Sequence, residues 1–320
     1  MADSKRPKAR KPKGFRDAFA SDCQQRQAMI AKITAVYQKY GFEPLETPCI
    51  EYVDALGKFL PEADQPEAGV FAMKDDQDDQ WLALRYDLTA PLARIVAENG
   101  DALPTPFRRY QYGPVWRREI KPSKDRFREF FQCDFDTVGS VSMAADAEVC
   151  LVLCEAMQAL GIHEFVIRVN NRKVLNGLLE SLQIDDPKAR LDVLRTLDKL
   201  DDIGTKGVRE QLGPGRKDKS GSFNDGIGLP EASIDRVVGF LECRRDTRRE
   251  TCDAFEEMVK AGGAEGVEEL RAMESILSVS GISEAHVRFD PSLVRGLEYY
   301  TGPVFEIELP FQVKVKGKLK

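Results

Sequence analysis

Histidine is scarce in the 320-residue sequence, and its scarcity excludes several kinds of catalytic site. Only two histidines are present, His163 and His286, and neither stands near a second strong metal ligand in the chain. A histidine-based metal centre or a Ser-His-Asp triad therefore has too few residues to work with. The sequence also lacks the motifs of dinucleotide-binding folds, P-loops, α/β-hydrolases and zinc proteases.

Paired cysteines and long apolar runs are missing as well. The seven cysteines include no Cys-x-x-Cys pair, whereas disulfide frameworks and four-cysteine zinc sites need paired spacings, so we expect reduced thiols. No apolar run approaches the roughly 20 residues that cross a bilayer. The basic N-terminal sequence is not followed by the apolar stretch of a signal peptide. We therefore expect a cytoplasmic protein that contacts no membrane.

Charged residues of both signs, by contrast, are abundant. They make up 31% of the sequence, beside 42% hydrophobic residues, and the formal net charge is −6, which is typical of a globular protein. At roughly 150 residues per domain, the length suggests about two domains. Basic residues concentrate in residues 1–13, which we expect to form a disordered arm. Because the remainder is acidic, bulk charge does not indicate a nucleic-acid-binding protein.

Hydrophobic periodicity predicts a mixture of helices and strands. Apolar residues at spacings of three and four predict a helix over 22–40, and two aromatic-rich runs over 107–139 predict an antiparallel hairpin with a long charged loop. Residues 172–277 have a helical period, interrupted by a mobile, Gly-rich connection over 213–228, before strand patterns return. Strands on both sides of a helical segment predict an α+β protein with a helical insertion.

The second aromatic run, RFREFFQCDFDTVG, sorts its polar residues onto one face of a strand. That face carries Arg126, Arg128, Gln132, Asp134 and Asp136. Charged groups in a long strand are costly unless they pair with one another or line a cleft, and this strand alone leaves both explanations open. The partner strand favours a cleft, because Arg117 and Glu119 are two residues apart on it and can both face the same cleft. Arginine suits phosphates, and carboxylates suit an amine.

Two further segments contain groups that could complete such a cleft. LRYDLTAP places Asp87 and Thr89 just before a predicted helix, where capping is the simpler role for Thr89. LVRGLEYYTGPVFEI places Arg295 and the pair Tyr299 and Tyr300 between glycines that allow a tight turn and close backbone approach. Taken alone, each tyrosine is better explained as a core residue than as a ligand contact.

Four segments, in this order, together carry a family resemblance. They read GFEPLETPCIEY, LRYDLTAPLAR, RRYQYGPVWRREIKPSKDRFREFFQCDFDTVG and LVRGLEYYTGPVFEI. Their combination resembles the catalytic core of histidyl-tRNA synthetases, a class II aminoacyl-tRNA synthetase family, from about Lys13 to Leu309. The resemblance implies a class II-like antiparallel sheet flanked by helices. It also implies a homodimer formed through the first segment, with Pro48 at the characteristic proline of the first class II motif.

The resemblance implies that four residues bind ATP. Arg117 matches the arginine that grips the α-phosphate, Glu119 matches the acid near the adenine, and Arg128 would also face the nucleotide. Arg295 matches an arginine that approaches the α-phosphate from the opposite side, so Arg117 and Arg295 are the implied catalytic residues. Magnesium is expected to accompany ATP, although no dedicated protein ligands for it can be identified in the sequence.

A second set of residues is implied to bind L-histidine. It comprises Asp87, Thr89, Gln132, Asp136, Tyr299 and Tyr300. The first three match positions that hold the α-amino group and neighbouring atoms. Asp136 and Tyr300 match positions that contact the imidazole, and Tyr299 lines the same pocket.

The implied activity is ATP-dependent conversion of histidine to histidyl-adenylate, followed by transfer to tRNA(His). The implied domains are the arm 1–13, the first part of the catalytic core 14–171, the helical insertion 172–277 and a return to the core at 278–320. The family's third motif and anticodon-binding domain have no counterpart in the sequence, so we expect a portion of a synthetase.

Two alternatives stay open at this stage. Noncatalytic paralogues with this fold bind histidine and regulate its biosynthesis, and they also lack the anticodon-binding domain. A histidine sensor, however, has no need for Arg117, Glu119, Arg128 and Arg295. A nonenzymatic tRNA-binding module is the weaker alternative, because the chain is acidic.

Overall fold

The chain divides into two units in the computed structural model, Met1–Ser140 and Val141–Lys320. The structure describes residues 8–56, 69–76, 79–118, 126–218, 221–294, 300–311, 314–315 and 318–319. The fold is a mixed α+β fold in which antiparallel sheets are flanked by helices, as predicted. No helix within these ranges is long and apolar enough to cross a membrane.

The first unit combines short sheets with a few helices. Its helices are α1 (Ala20–Lys39), α2 (Val53–Leu56) and α3 (Thr89–Asn99), and a 3-10 turn follows at Gly100–Ala102. Its strands are β1 (Glu43–Pro44), β2 (Ile50–Tyr52), β3 (Ala72–Lys74), β4 (Trp81–Leu84), β5 (Phe107–Trp116) and β6 (Glu129–Val138).

A hairpin of two ten-residue strands, β5 and β6, is the central feature of this unit and confirms the predicted hairpin. Its antiparallel register runs from Phe107 opposite Val138 to Trp116 opposite Glu129. The strand β1 pairs in parallel with β5 at the sheet edge, where a proline is tolerated. On the apolar face, the ring of Phe135 packs 4.8 Å from that of Tyr37 on α1. Thus α1 covers one face of the hairpin, and the polar face points away from it.

The observed start of α1 differs from the predicted one by two residues. The helix begins at Ala20 rather than at residue 22. The Asp22 carboxylate accepts a hydrogen bond from the Phe19 backbone N–H at 3.4 Å, and an acidic group in the first turn also favours the positive end of the helix dipole.

The second unit contains most of the helices. They are α4 (Met143–Ala159), α5 (Arg172–Ser181), α6 (Pro187–Leu197), α7 (Leu200–Leu212), α8 (Glu231–Leu241), α9 (Arg248–Val259) and α10 (Ala264–Val279), with a 3-10 turn at Lys260–Gly263. Its strands are β7 (Val166–Asn171), β8 (Gly215–Lys217), β9 (Phe223–Asp225), β10 (Val287–Phe289), β11 (Pro303–Glu308), β12 (Lys314–Val315) and β13 (Lys318–Leu319).

The sheet of the second unit joins chain from both sides of its helical segment. The strand β7 is central, parallel to β10 and antiparallel to β11. A buried ion pair fastens it to the segment after β10, because Arg168 Nε lies 2.9 Å from Asp290 Oδ2. The helices pack with β7 and β10 around one hydrophobic core that includes Leu178, Phe255 and Leu270. The domain boundaries at 172 and 277 stay a prediction.

Residues 213–228, which are described except for 219 and 220, include regular structure where their composition predicts a mobile connection. They contain the antiparallel hairpin β8–β9, in which Gly215 lies opposite Asp225. A Cβ atom on Gly215 would lie 2.4 Å from the carbonyl oxygen of Asn224, and its φ is +109°. Glycine at this position therefore allows the two strands to approach closely.

All seven cysteines are free thiols. Burial is the main cause that raises the pKa of Cys154 and of Cys243 to about 11. Both thiols are therefore uncharged at neutral pH and act as small apolar core groups.

Candidate active site

The polar face of the β5–β6 hairpin carries most of the candidate site. Cross-strand pairing places Asp136 opposite Arg109 and Asp134 opposite Gln111, and Gln132 follows one step further along. Side chains that alternate along a strand share a face with those directly opposite on the neighbouring strand. The row of polar residues predicted from β6 is thus matched by a second polar row on β5.

Arg109 is the buried cation of this face. Its side chain has no exposed surface, and Nη2 lies 2.7 Å from Asp136 Oδ2. The same nitrogen donates a hydrogen bond to the carbonyl oxygen of Leu88 at 3.0 Å. A buried guanidinium needs a counter-ion and acceptors, because removing it from water is costly. Arg109 therefore connects β6 with the turn that leads into α3.

That turn places a second carboxylate beside the site. Asp87 Oδ1 accepts hydrogen bonds from the backbone N–H groups of Thr89, at 3.1 Å, and Ala90, at 2.9 Å. Asp87 therefore caps α3, and the expectation that Thr89 would supply the cap is wrong. The physical reason is position, since a capping oxygen must precede the free N–H groups it accepts from, and Thr89 is itself the first helical residue.

Burial and nearby like charges raise the pKa values of Asp134 and Asp136 on β6. The pKa of Asp134 is raised to about 6, first by burial and then by Asp136 and Asp87, against the opposing effect of Arg109 and Arg117. Burial also raises the pKa of Asp136, while Arg109 lowers it. A crowded group of carboxylates like this one favours a ligand that brings a positive charge.

The raised pKa of Asp134 predicts a pH-dependent cost to stability. The carboxyl group of Asp134 holds its proton more tightly in the folded protein than in the unfolded chain. Ionisation of Asp134 therefore lowers the stability of the folded state increasingly as the pH rises from about 4 to about 6. We expect Asp134→Asn to raise the melting temperature at pH 8, by an amount equivalent to about 2–3 kcal/mol at most, and to raise it much less at pH 4.5. Asp192→Asn on α6 is the control, and thermal melts at both pH values are the measurement. An equal effect of Asp134→Asn at both pH values would contradict this assignment.

Several polar atoms around this face are buried without a hydrogen-bond partner among the described residues. They are Nε and Nη1 of Arg109, Oε1 of Gln111, Oε1 of Gln132 and Oδ2 of Asp136. Folded proteins pair the large majority of buried side-chain polar atoms, so a cluster of exceptions calls for an explanation. A polar ligand bound at this face would supply the missing partners.

A second buried arginine, Arg85, links β5 to the segment before β2. Arg85 Nε donates to the carbonyl oxygen of Pro114 at 2.9 Å, and Nη1 donates to that of Thr47 at 3.0 Å. Gly113 permits this approach, because a Cβ atom there would lie 2.5 Å from Arg85 Nη2. Thr47 Oγ1 in turn accepts a hydrogen bond from Gln111 Nε2 at 2.9 Å. The segment before β2 is therefore fixed to β5.

Two arginines meet at the loop end of the hairpin, just beyond the pair formed by Trp116 and Glu129. The backbone N–H of Arg117 donates to the carbonyl oxygen of Arg128 at 2.9 Å. The Arg117 guanidinium lies over the rings of Tyr86, at 4.4 Å, and Phe130, at 5.1 Å. Arg128 is held by its backbone N–H, which donates to Gly14 at 2.8 Å. Stacking on two rings orients a guanidinium while its remaining N–H groups stay available for an anion.

Six of the ten residues with implied roles are described within one unit. The first unit holds Asp87, Thr89, Arg117, Arg128, Gln132 and Asp136. Tyr300 belongs to the second unit, where it is 47% exposed. Glu119, Arg295 and Tyr299 lie outside the described residues.

Sequence reasoning overlooked Arg109, Gln111 and Thr47. The sequence does mark the first two, because Arg109 and Gln111 lie an even number of residues before Arg117 and so share its face of an extended strand. No local pattern marks Thr47, which reaches the site only through its hydrogen bond to Gln111.

Comparison with known proteins identifies the family. The family model for histidyl-tRNA synthetase matches residues 14–311. The chain belongs to the histidyl-tRNA synthetase family. This confirms the resemblance carried by the four sequence segments.

Curated relatives agree with this assignment. The histidine–tRNA ligase of Cereibacter sphaeroides is 52% identical over 97% of this chain, and that of a Ruegeria species is 53% identical over 96%. The aligned regions cover 65% and 63% of those two relatives, so the chain spans somewhat less than two thirds of their length.

Solved structures of the family match the fold. The histidyl-tRNA synthetase of Nostoc sp. PCC 7120 superposes with a TM-score of 0.79 at 28% identity, over 95% of this chain and 66% of that one. A Bacillus halodurans protein titled an ATP phosphoribosyltransferase regulatory subunit/histidyl-tRNA synthetase has a TM-score of 0.77 at 25% identity, over 95% of this chain and 74% of its own. The predicted class II-like core is therefore confirmed as a fold.

Proposed function

We propose that this chain activates histidine with ATP, giving histidyl-adenylate and pyrophosphate, and that the histidyl group is then transferred to tRNA(His). The observation that carries this proposal is the polar face of the β5–β6 hairpin. It presents partly buried carboxylates and buried, unpaired polar atoms at one end and two arginines at the other. Such a face suits a cationic amino acid beside a nucleotide phosphate, and the name of the curated relatives supports the same reaction.

The amino-acid pocket uses Asp87 and Gln132, with Thr89, for the α-amino group of histidine. Asp136 binds the imidazole, together with Tyr299 and Tyr300. The carboxylates attract the ammonium group and accept its protons, and a carboxylate facing an imidazole N–H is a strong hydrogen-bond acceptor. Another amino acid would leave these buried groups unpaired, which costs several kcal/mol and supplies specificity.

The nucleotide end of the site uses Arg117 and Arg295 on the α-phosphate, with Glu119 and Arg128 along the nucleotide. A carboxylate oxygen of histidine attacks the α-phosphorus, the bond to the bridging oxygen of pyrophosphate breaks, and pyrophosphate leaves with that electron pair. The nucleophile is already an anion, so no general base is required. Orientation and stabilisation of the developing phosphate charge then provide the catalysis.

Magnesium is part of this proposal as a companion of ATP, where it would neutralise phosphate charge. The described residues include no group of three or more His, Cys, Asp or Glu side chains placed to hold a metal ion. No step is therefore assigned to a metal held by the protein's own side chains. The proposed location is the cytoplasm, where tRNA is charged.

A histidine-sensing regulator is the alternative function, and two observations disfavour it. The stacked, oriented guanidinium of Arg117 beside Arg128 suits a phosphate that a sensor would not need to bind. The curated relatives at about 52% identity are named as ligases.

Loss of the Asp136 charge is expected to weaken histidine binding. Asp136→Asn keeps the shape of the side chain but removes an anion, so calorimetry on the full-length protein should show a loss of about 1–3 kcal/mol in histidine affinity. Asp192→Asn, on the exposed surface of α6, is the matched control. Unchanged affinity in Asp136→Asn would place this residue on a structural face instead.

The outer face of the small sheet β2–β4–β3 supports a homodimer. Three apolar side chains on this face are exposed: Ile50 (41%) and Tyr52 (47%) on β2, and Met73 (41%) on β3. The cross-strand register places all three on the same side of the sheet. Leu82 lies between them on β4, opposite both Tyr52 and Met73. Contiguous exposed apolar side chains favour association, and a symmetric dimer would cover the face with a second copy of itself. The face adjoins Pro48, where the dimer was expected.

A charge placed on this face should break the dimer. We expect light scattering at micromolar concentration to report a dimer for the unmodified protein and a monomer for Ile50→Glu, because a carboxylate buried at the centre of an apolar interface is strongly disfavoured. Phe223→Glu, at an exposed aromatic on the β8–β9 hairpin, should remain dimeric. A monomeric unmodified protein would contradict the dimer.

Aminoacylation of a tRNA(His) transcript with labelled histidine tests the proposed function. Histidine should be attached to the 3′ end in an ATP-dependent reaction, while a transcript for another amino acid should remain uncharged. Absence of charging by a full-length protein that binds histidine would contradict the synthetase function and favour the regulator.

A further inference from the structure

Arg109 has no role in the sequence resemblance, yet its environment differs from that of a simple structural arginine. The side chain is fully buried, and its closest anion is Asp136, the residue proposed to bind the imidazole. The two residues are directly opposite on β5 and β6. Asp136 therefore has its buried counter-ion supplied by the neighbouring strand.

The contacts of Arg109 also join two parts of the pocket. Nη2 contacts both Asp136 Oδ2 and the carbonyl oxygen of Leu88, which stands between Asp87 and Thr89. A single nitrogen thus positions a side chain of β6 relative to the turn that begins α3. The guanidinium is planar and rigid, so movement of one contact affects the other.

The pairing of Arg109 with Asp136 is close but incomplete. Asp136 Oδ2 lies 2.7 Å from Nη2, yet it has no aligned hydrogen bond among the described residues. Nε and Nη1 of Arg109 are buried and similarly lack partners there. The ion pair is therefore held together by charge, and Asp136 keeps hydrogen-bonding capacity for a ligand.

We propose that Arg109 is a positioning residue of the amino-acid pocket, which holds Asp136 ionised and aimed at the imidazole of bound histidine. This inference rests on the proposed function and adds to it a group that touches Asp136 rather than the substrate. It explains why a fully buried cation stands directly across the hairpin from that carboxylate.

The charges around Asp136 make Arg109 the group that decides its ionisation. Asp87, on the turn before α3, is a like charge that opposes ionisation of Asp136, and Asp134 on the same strand has its own pKa raised by Asp136. Tyr37, on α1, interacts electrostatically with the same carboxylate and stays neutral at physiological pH, because burial raises the pKa of its hydroxyl further above the ordinary value of 10.0. Burial also favours the protonated acid, and Arg109 is the cation that opposes these effects.

The test compares Arg109→Met with Arg108→Met in the full-length protein. Arg108 is the neighbouring arginine on β5 and faces the opposite side of the hairpin, where it stacks on Phe42 at 4.1 Å. The pKa of Asp136 is followed by the 13C chemical shift of its carboxyl carbon, with Asp136→Asn to assign the signal. Histidine affinity is measured by calorimetry between pH 6 and pH 9.

Arg109→Met should raise the pKa of Asp136 by about one unit or more and weaken histidine binding at pH 7 by about tenfold or more. Raising the pH should recover part of this lost affinity, because the carboxylate ionises again. Arg109→Lys should restore part of the affinity, and Arg108→Met should change neither quantity. An unchanged pKa and pH profile in Arg109→Met would overturn the proposal.

A double variant keeps the test valid if Arg109→Met folds poorly. Arg109→Met combined with Asp136→Asn leaves no lone charge buried, which avoids the main cause of instability. In the Asp136→Asn background, removal of Arg109 should have less than about a twofold further effect on histidine affinity, because its partner charge is already absent. A further tenfold loss would overturn the proposal. Histidine binding that fails in the unmodified protein would instead contradict the proposed function, while the carboxyl signal would still decide the role of Arg109.

Discussion

Replacing Arg117 with glutamine is expected to lower histidine-dependent ATP–pyrophosphate exchange by about 10²-fold or more. The guanidinium is oriented by the rings of Tyr86 and Phe130 and by a hydrogen bond from Nε to the Tyr86 carbonyl oxygen at 3.4 Å. A cation fixed before the reaction stabilises developing phosphate charge without reorganisation, and losing one such group costs about 10²–10³ in rate. Glutamine keeps some polarity but carries no charge.

The neighbouring arginine offers the matched control. Arg118 is exposed, and its backbone N–H donates to the carbonyl oxygen of Gly69 at 2.7 Å. Arg118→Gln should therefore leave both that hydrogen bond and the exchange rate nearly unchanged. If Arg117→Gln and Arg118→Gln reduced exchange equally, a specific role of Arg117 at the α-phosphate would be ruled out.

Replacing Arg295 with glutamine is expected to reduce the same exchange by about 10²-fold, while histidine affinity changes much less. The proposed contact is with the α-phosphate as its charge shifts, so the side chain should matter more in the transition state than for bound histidine. Exchange kinetics and histidine calorimetry on the same preparation separate these two effects.

Loss of folding must be distinguished from loss of chemistry in this variant. Thermal melts of Arg295→Gln should match those of the unmodified protein. Arg288→Gln is the control, because Arg288 on β10 forms an ion pair with Glu308 at 2.8 Å and has no proposed part in the reaction. Exchange that survives Arg295→Gln undiminished would show that the catalytic assignment of Arg295 is wrong.

The polar face of the hairpin was predictable because alternation along a strand is a local property. Counting by twos along β6 places Gln132 and Asp136 on one face without any knowledge of the fold. The same count along β5, extended back from Arg117, would have found Arg109 and Gln111. Counting on β6 alone finds only part of the polar face, because side-chain pairs across both strands form it.

Other features depended on contacts distant in sequence. Thr89 and Asp87 are both acceptable capping residues, and only the backbone geometry at the start of α3 distinguishes them. Likewise, Arg168 reaches its partner Asp290 across 122 positions of the chain. Local periodicity indicates strands and helices, but it does not specify which of them become neighbours.

The most direct test of the central claim is ATP–pyrophosphate exchange by the full-length protein, measured beside histidine binding on the same preparation. We expect the protein to bind histidine and to catalyse exchange that depends on histidine, with no exchange when other amino acids replace it. Histidine binding without any exchange would contradict the proposed activation of histidine and favour a histidine-binding regulator over a synthetase.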